Sequence, residues 1–201
     1  PYADTQAPVA PTVTVSEADN DGKPTASGVA EPGSTVTVTW PDGTTSTVTA
    51  DPTTGAYTVE SPTVQTNGNI TATATDVNGN TSTLTTAPYA DTQAPVAPTV
   101  TVSEADNDGK PTASGVAEPG STVTVTWPDG TTSTVTADPT TGAYTVESPT
   151  VQTNGNITAT ATDVNGNTST PTTAPYADTQ APVAPTVTVS EADNDGKPTA
   201  S

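Results

Sequence analysis

The side chains with chemical capacity in this sequence are mostly carboxylates and carboxamides. Asp and Glu number 22 against three Lys, and His, Cys, Met and Phe are absent. The formal charge is -19 and the sequence pI about 4.1. Without imidazole or thiol, a serine or cysteine triad cannot be assembled, and zinc, haem and iron–sulfur centres lack their usual ligands. So acidic a chain also repels phosphate backbones, which excludes nucleic acid as a partner. What remains is oxygen chemistry. Short loops carrying Glu17, Asp19 and Asp21 (EADNDGKP) and Asp76, Asn78 and Asn80 (DVNGN) offer the atoms that a hard cation such as Ca²⁺ takes, about six to eight oxygens at a time. Paired carboxylates can also hydrolyse glycosides, but no pocket-forming insertion or aromatic platform accompanies these, so no enzyme activity is expected.

These loops occur more than once. The string PYADTQAPVAPTVTVSEADNDGKPTAS starts at Pro1, Pro88 and Pro175, a period of 87 residues, and residues 1–114 and 88–201 differ only at Leu84 against Pro171. The acidic sets therefore recur as Glu104, Asp106 and Asp108, and as Asp163, Asn165 and Asn167. No unit can hold a unique site, which favours a spacer or a multivalent array. Beginning without Met and stopping 27 residues into a third period, the chain is expected to be a piece of a longer array. No apolar run is long enough to span a bilayer, so no membrane insertion is expected of this segment. The lack of cysteine does not imply the cytosol, since secreted proteins can be held by metal ions instead of disulfides.

The loops need elements to position them. Val, Ile, Leu and Phe are scarce beside the high charge, a composition that by itself suits a disordered stalk. The order of residues argues otherwise: β-branched residues alternate with polar ones in short runs bounded by Gly, Pro, Asn and Asp. Seven strands are predicted per period, at 12–16, 25–31, 34–40, 44–50, 56–60, 69–75 and 81–86. Val36, Val38 and Trp40 share one face of the third, and Ile70, Ala72 and Ala74 one face of the sixth. The second leaves its inward face open, with Ala26, Gly28 and Ala30 on one side and Val29 on the other. The last carries Leu84, and Pro171 in its place in the second period suits an edge strand. Trp40 and Trp127 are expected as core fillers.

Seven short strands per unit predict an all-β fold of tandem seven-stranded immunoglobulin-like sandwiches in an elongated rod. The expected boundaries are a linker at 1–11, a repeat at 12–87, a linker at 88–98, a second repeat at 99–174, a linker at 175–185 and the start of a third repeat at 186–201. Within 178–201 there is too little to bury a core, so this stretch is expected to be mobile or to pair with a neighbouring edge. A core of mostly Val and Ala is thin for a small domain, and something further should help to hold the array.

Tracing the strands puts 17–24, 41–43 and 61–68 at one end of each unit, and 31–34, 51–55 and 76–80 at the other. Each junction then gathers Glu17, Asp19 and Asp21 of one domain, Asp91 of the linker, and Asp163, Asn165 and Asn167 of the next. Without a counter-ion such a cluster repels itself, and Ca²⁺ would remove that penalty. Two plainer readings stand beside this one. Asp-Gly and Asn-Gly are ordinary turn dipeptides, and surplus acidity can serve solubility alone. The 17–28 segment also fails as an EF-hand loop, because Gly28 occupies the position of the bidentate Glu.

The run GVAEPGSTVTVTWPDG over 28–43, ATDVNGNTS over 74–82 and the DTQAP linker resemble the bacterial Ig-like repeats of biofilm-associated proteins, giant type I-secreted surface adhesins. The resemblance implies an extracellular stalk at the bacterial cell surface that supports adhesion and biofilm formation, with Ca²⁺ stiffening its junctions. By resemblance, Asp4, Asp91 and Asp178 of the linkers and Asp76 and Asp163 of the DVNGN loops match the metal-binding positions. The implied partners are neighbouring repeats of the same chain and the same adhesin on other cells. A different class of function, recognition of glycans or of a partner repeat, would need an exposed aromatic cluster, for which Tyr89 is the one plausible seed.

Overall fold

In a computed structural model, described over residues 4–17, 21–104 and 108–189, the chain is all-β and holds two tandem immunoglobulin-like domains. The first comprises β1 (Thr14–Ser16), β2 (Thr25–Val29), β3 (Thr35–Thr39), β4 (Thr45–Thr49), β5 (Ala56–Glu60), β6 (Gly68–Thr75) and β7 (Thr85–Tyr89). The second repeats them as β8 (Thr101–Ser103), β9 (Thr112–Val116), β10 (Thr122–Thr126), β11 (Thr132–Thr136), β12 (Ala143–Glu147), β13 (Gly155–Thr162) and β14 (Thr172–Tyr176). Each domain pairs a three-stranded sheet, β1-β2-β5 or β8-β9-β12, with a four-stranded one, β4-β3-β6-β7 or β11-β10-β13-β14. All the pairs are antiparallel.

The pairing of β4 with β3 follows from the turn between them. Gly43 has φ of 84° and donates its N–H to Trp40 O at 2.9 Å, while Trp40 N–H bonds Thr44 O at 2.9 Å. This is a three-residue hairpin with glycine in the left-handed position. It brings Thr45 opposite Thr39 and starts the ladder.

The two sheets close over a small core. Val36, Val38, Trp40, Ile70, Ala72 and Ala74 are all at most 2% exposed and are met by Ala26 and Tyr57 from the other sheet. Two polar atoms of the aromatics find partners: Trp40 Nε1 donates to Ser46 Oγ at 2.9 Å, and Tyr57 Oη donates to Thr12 O at 2.6 Å. Thr12 O also decides which face of β2 points inward. A Cβ built on Gly28 would lie 1.9 Å from it, so only a residue without a side chain fits there, and Val29 is turned out, 52% exposed.

Two expectations need correction. The last strand begins at Thr85, four residues beyond the predicted start. Thr81 makes only an isolated bridge to Thr75. Ser82 then turns inward, accepting Ala74 N–H at 2.9 Å and donating to Thr83 O at 2.9 Å. Its side chain replaces a rung of the ladder, so Leu84 falls outside the strand, 60% exposed, and Pro171 costs no sheet bond. The proline in the edge strand is Pro88, opposite Asn69. The second correction concerns Tyr89: it ends β7 inside the core, 4% exposed, and is no surface platform. In the third period, Val183, Val187 and Val189 are 70%, 66% and 62% exposed, and residues 190–201 of the predicted mobile stretch lie outside the described residues.

Candidate functional site

The DVNGN loop is built around its aspartate. Asp163 Oδ1 accepts the N–H groups of Asn165 at 2.8 Å and Asn167 at 2.9 Å, and Oδ2 accepts Asn167 Nδ2 at 2.8 Å. Gly166, with φ of 93°, lets the chain turn back. Asp76 makes the same three bonds in the first domain. The Asn80 amide, with the loop N–H groups, holds the Asp76 carboxyl below its ordinary value against a smaller upward pull from desolvation. The loop is therefore a rigid turn that presents two carboxamides to whatever precedes the domain.

What precedes it is the linker aspartate. Asp91 O accepts Asn167 Nδ2 at 3.2 Å, Asp91 Oδ2 accepts Asn165 Nδ2 at 3.1 Å, and the residue is 7% exposed. Asp4 meets Asn80 and Asn78 in the same way, at 3.1 and 3.3 Å. Towards the preceding domain, Asp91 N–H donates to Asn67 Oδ1 at 2.7 Å, and Asp178 N–H donates to Asn154 Oδ1 at 2.9 Å. Asp91 thus bonds to the domain on either side.

Of the residues singled out in the sequence, Asp91, Asp163, Asn165 and Asn167 come together at one junction, as do Asp4, Asp76, Asn78 and Asn80 in front of the first domain. Glu17 and Glu104 reach the linker by a different route, accepting the hydroxyls of Thr92 at 2.9 and 3.1 Å and of Thr179 at 2.6 Å. Asp21 and Asp108 accept the N–H groups of Lys23 and Lys110, each at 2.9 Å, as turn residues do. Asp19 and Asp106 lie outside the described residues. Sequence reasoning placed the 61–68 loop at this end but overlooked Gln65 and Asn67 within it. Gln65 is wholly buried: its Nε2 donates to Ser61 Oγ at 2.9 Å and Thr63 Oγ1 at 2.8 Å, and its Oε1 accepts Asp42 N–H at 3.1 Å. A fully polar side chain in a turn-rich loop was the available signal.

The two domains differ only at Leu84 against Pro171, so equivalent positions can be compared directly. Val77 is 90% exposed and its counterpart Val164, which follows the linker from the first domain, only 48%.

The donor set fits a hard cation in part. Asp91 Oδ2, Asp91 O and Asp163 Oδ2 surround amide nitrogens, and turning the Asn167 amide would add its Oδ1 to the same oxygens. Among the described residues no three carboxylates converge, so water would complete the six to eight oxygens that Ca²⁺ prefers. Asn165, singled out with them in the sequence, uses its Oδ1 to accept Asn67 N–H at 2.8 Å.

No curated protein matches this chain. Among solved structures it is similar to the BSP domain of a biofilm associated protein, at 24% identity and a TM-score of 0.38, covering 85% of this chain and 30% of that one. It is also similar to a two-domain fibronectin type-III segment of chicken tenascin, at 16% identity and a TM-score of 0.47, covering 86% of this chain and 99% of that one. The chain thus spans under a third of the first of these proteins. Among the described residues no helix is long and apolar enough to cross a membrane. The bacterial Ig domain family matches residues 7–91 and again 94–178, nearly the whole of both periods, and the chain belongs to that family as two tandem copies.

Proposed function

We propose that this chain is a non-catalytic extender segment of a bacterial surface adhesin, stiffened by Ca²⁺ at its domain junctions. Membership of the bacterial Ig family and the near-identity of successive units support the stalk role, because a stalk needs repetition and no unique site. The observation that carries the proposal is the placement of Asp91, bonded to Asn67 of one domain and to Asn165 and Asn167 of the next. Asp91, Asp163 and Asn167 would hold the ion, with Asp4, Asp76 and Asn80 as the equivalent set in front of the first domain. A bound cation would supply positive charge between carboxylates that otherwise repel. The Glu17 carboxylate, bonded to Thr92, adds negative potential beside the linker.

The test is small-angle scattering of the whole chain in calcium and then in chelator, with a calorimetric calcium titration in parallel. Saturable binding, together with a maximum dimension that changes on chelation, is expected. No heat of binding and an unchanged scattering curve would remove calcium from the proposal.

A further inference from the structure

We infer that Asn165 is a metal-independent peg that docks the second domain onto the first, with the backbone of Gln65 and Asn67 as its socket. The inference goes beyond the calcium reading, since it assigns this residue to direct domain–domain recognition. The amide of Asn165 is used in full: Oδ1 accepts Asn67 N–H at 2.8 Å, while Nδ2 donates to Gln65 O at 3.2 Å and to Asp91 Oδ2 at 3.1 Å. Its orientation is fixed by chemistry, because a flipped amide would set oxygen against two acceptors and NH₂ against a donor.

Both halves of this joint are stiff. The peg sits on a turn closed by three bonds to Asp163. The socket is held by the buried Gln65 side chain, and by Gln65 N–H donating to Gly22 O at 3.1 Å. Asn67 itself closes the circuit by accepting Asp91 N–H through its side chain. Burial follows the same pattern: Asn165 is half-buried, while Asn78, the same residue in the first domain, is exposed. Val64 beside the socket is half-buried, whereas Val151, its equivalent in the second domain, is 65% exposed.

Two isosteric variants separate the peg from the clamp. Asn165→Asp replaces the donor by an oxygen that faces Gln65 O and Asp91 Oδ2, which is repulsive without metal and favourable around a cation. Asn78→Asp makes the same change in the equivalent loop of the first domain, and controls for effects within the loop. The chain has no cysteine, so spin labels can be placed at Thr47→Cys and Thr134→Cys, both exposed on β4 and β11. Their distance distribution is then read by double electron–electron resonance, and circular dichroism melts check that each domain stays folded. In chelator, the parent and Asn78→Asp should give distributions of equal width, and Asn165→Asp one about twofold broader as the docking contact is lost and free domain motion grows. Equal widths for the parent and Asn165→Asp in chelator overturn the peg. Adding calcium should narrow Asn165→Asp again; if calcium changes no variant, the clamp fails and the peg stands.

Discussion

Aspartate in this protein works first as a turn builder. Asp42 shows how far that goes: Oδ1 accepts Thr44 N–H at 2.8 Å and Thr44 Oγ1 at 2.6 Å, and Oδ2 accepts Thr63 Oγ1 at 2.6 Å, tying the β3–β4 turn to the 61–68 loop. Desolvation pulls this carboxyl up, but bonds from Thr44 and Thr63 outweigh it and bring it down to about 2 from 3.8. Asp129 is lowered likewise, by the side chains of Thr131 and Thr150. A carboxyl depressed in the folded state contributes stability above its unfolded pKa and loses that contribution as pH falls through the folded one. Both domains should therefore lose melting temperature between about pH 4 and pH 2. The double variant Asp42→Asn, Asp129→Asn should melt lower at neutral pH, and the gap to the parent should narrow as pH falls from about 4 to about 2 and close only below that. Parallel melting curves across that window would show that these bonds carry no linkage.

At the scale of elements, period-two alternation made the architecture legible. β5 falls at the predicted 56–60, and β3, β4 and β6 lie within one residue of expectation at each end, because in each one face is more buried than the other. The alternation misled at the last strand, where TSTLTT has the pattern of a strand yet Ser82 spends its hydroxyl on the backbone. Side-chain to backbone bonds of this kind compete with a ladder without disturbing the hydropathy pattern. Alternation was also silent at β2, whose inward face is small by necessity: Thr12 O lies where a Gly28 side chain would go. That carbonyl is also the acceptor for Tyr57 Oη. Gly28→Ala should therefore push the 12–13 segment off the sheet, break the tyrosine bond and cost about 1–3 kcal/mol, read as a lower melting temperature of the first domain. Tyr57→Phe should cost only about 1 kcal/mol, the worth of the hydrogen bond. If Gly28→Ala is no worse than Tyr57→Phe, the close approach at β2 is not a constraint.

For the whole molecule, the sequence located the junction but left out Gln65 and Asn67, which help to join it. Charge made the carboxylates conspicuous, so Glu17, Asp19 and Asp21 drew attention, while the contacts that join the domains run through carboxamides and backbone groups of Gln65, Asn67, Asn165 and Asn167. Neutral amides leave no trace in a charge count, and their partners are set by the three-dimensional course of two loops 98 residues apart. An apolar component of the joint is equally invisible in one dimension, since Val77 and Val164 stand in the same DVNGN sequence. Only the second is partly covered, at 48% exposure against 90%. In a repeat array such neighbour contacts add to the stability of each unit. Val164→Ser should then weaken the coupling by about 1 kcal/mol from lost apolar burial, seen in urea unfolding as a lower midpoint or a split transition. Val77→Ser, with the same chemistry on an open loop, should leave the curve unchanged. Equal effects from the two variants would place the loss inside the loop and remove Val164 from the joint between domains.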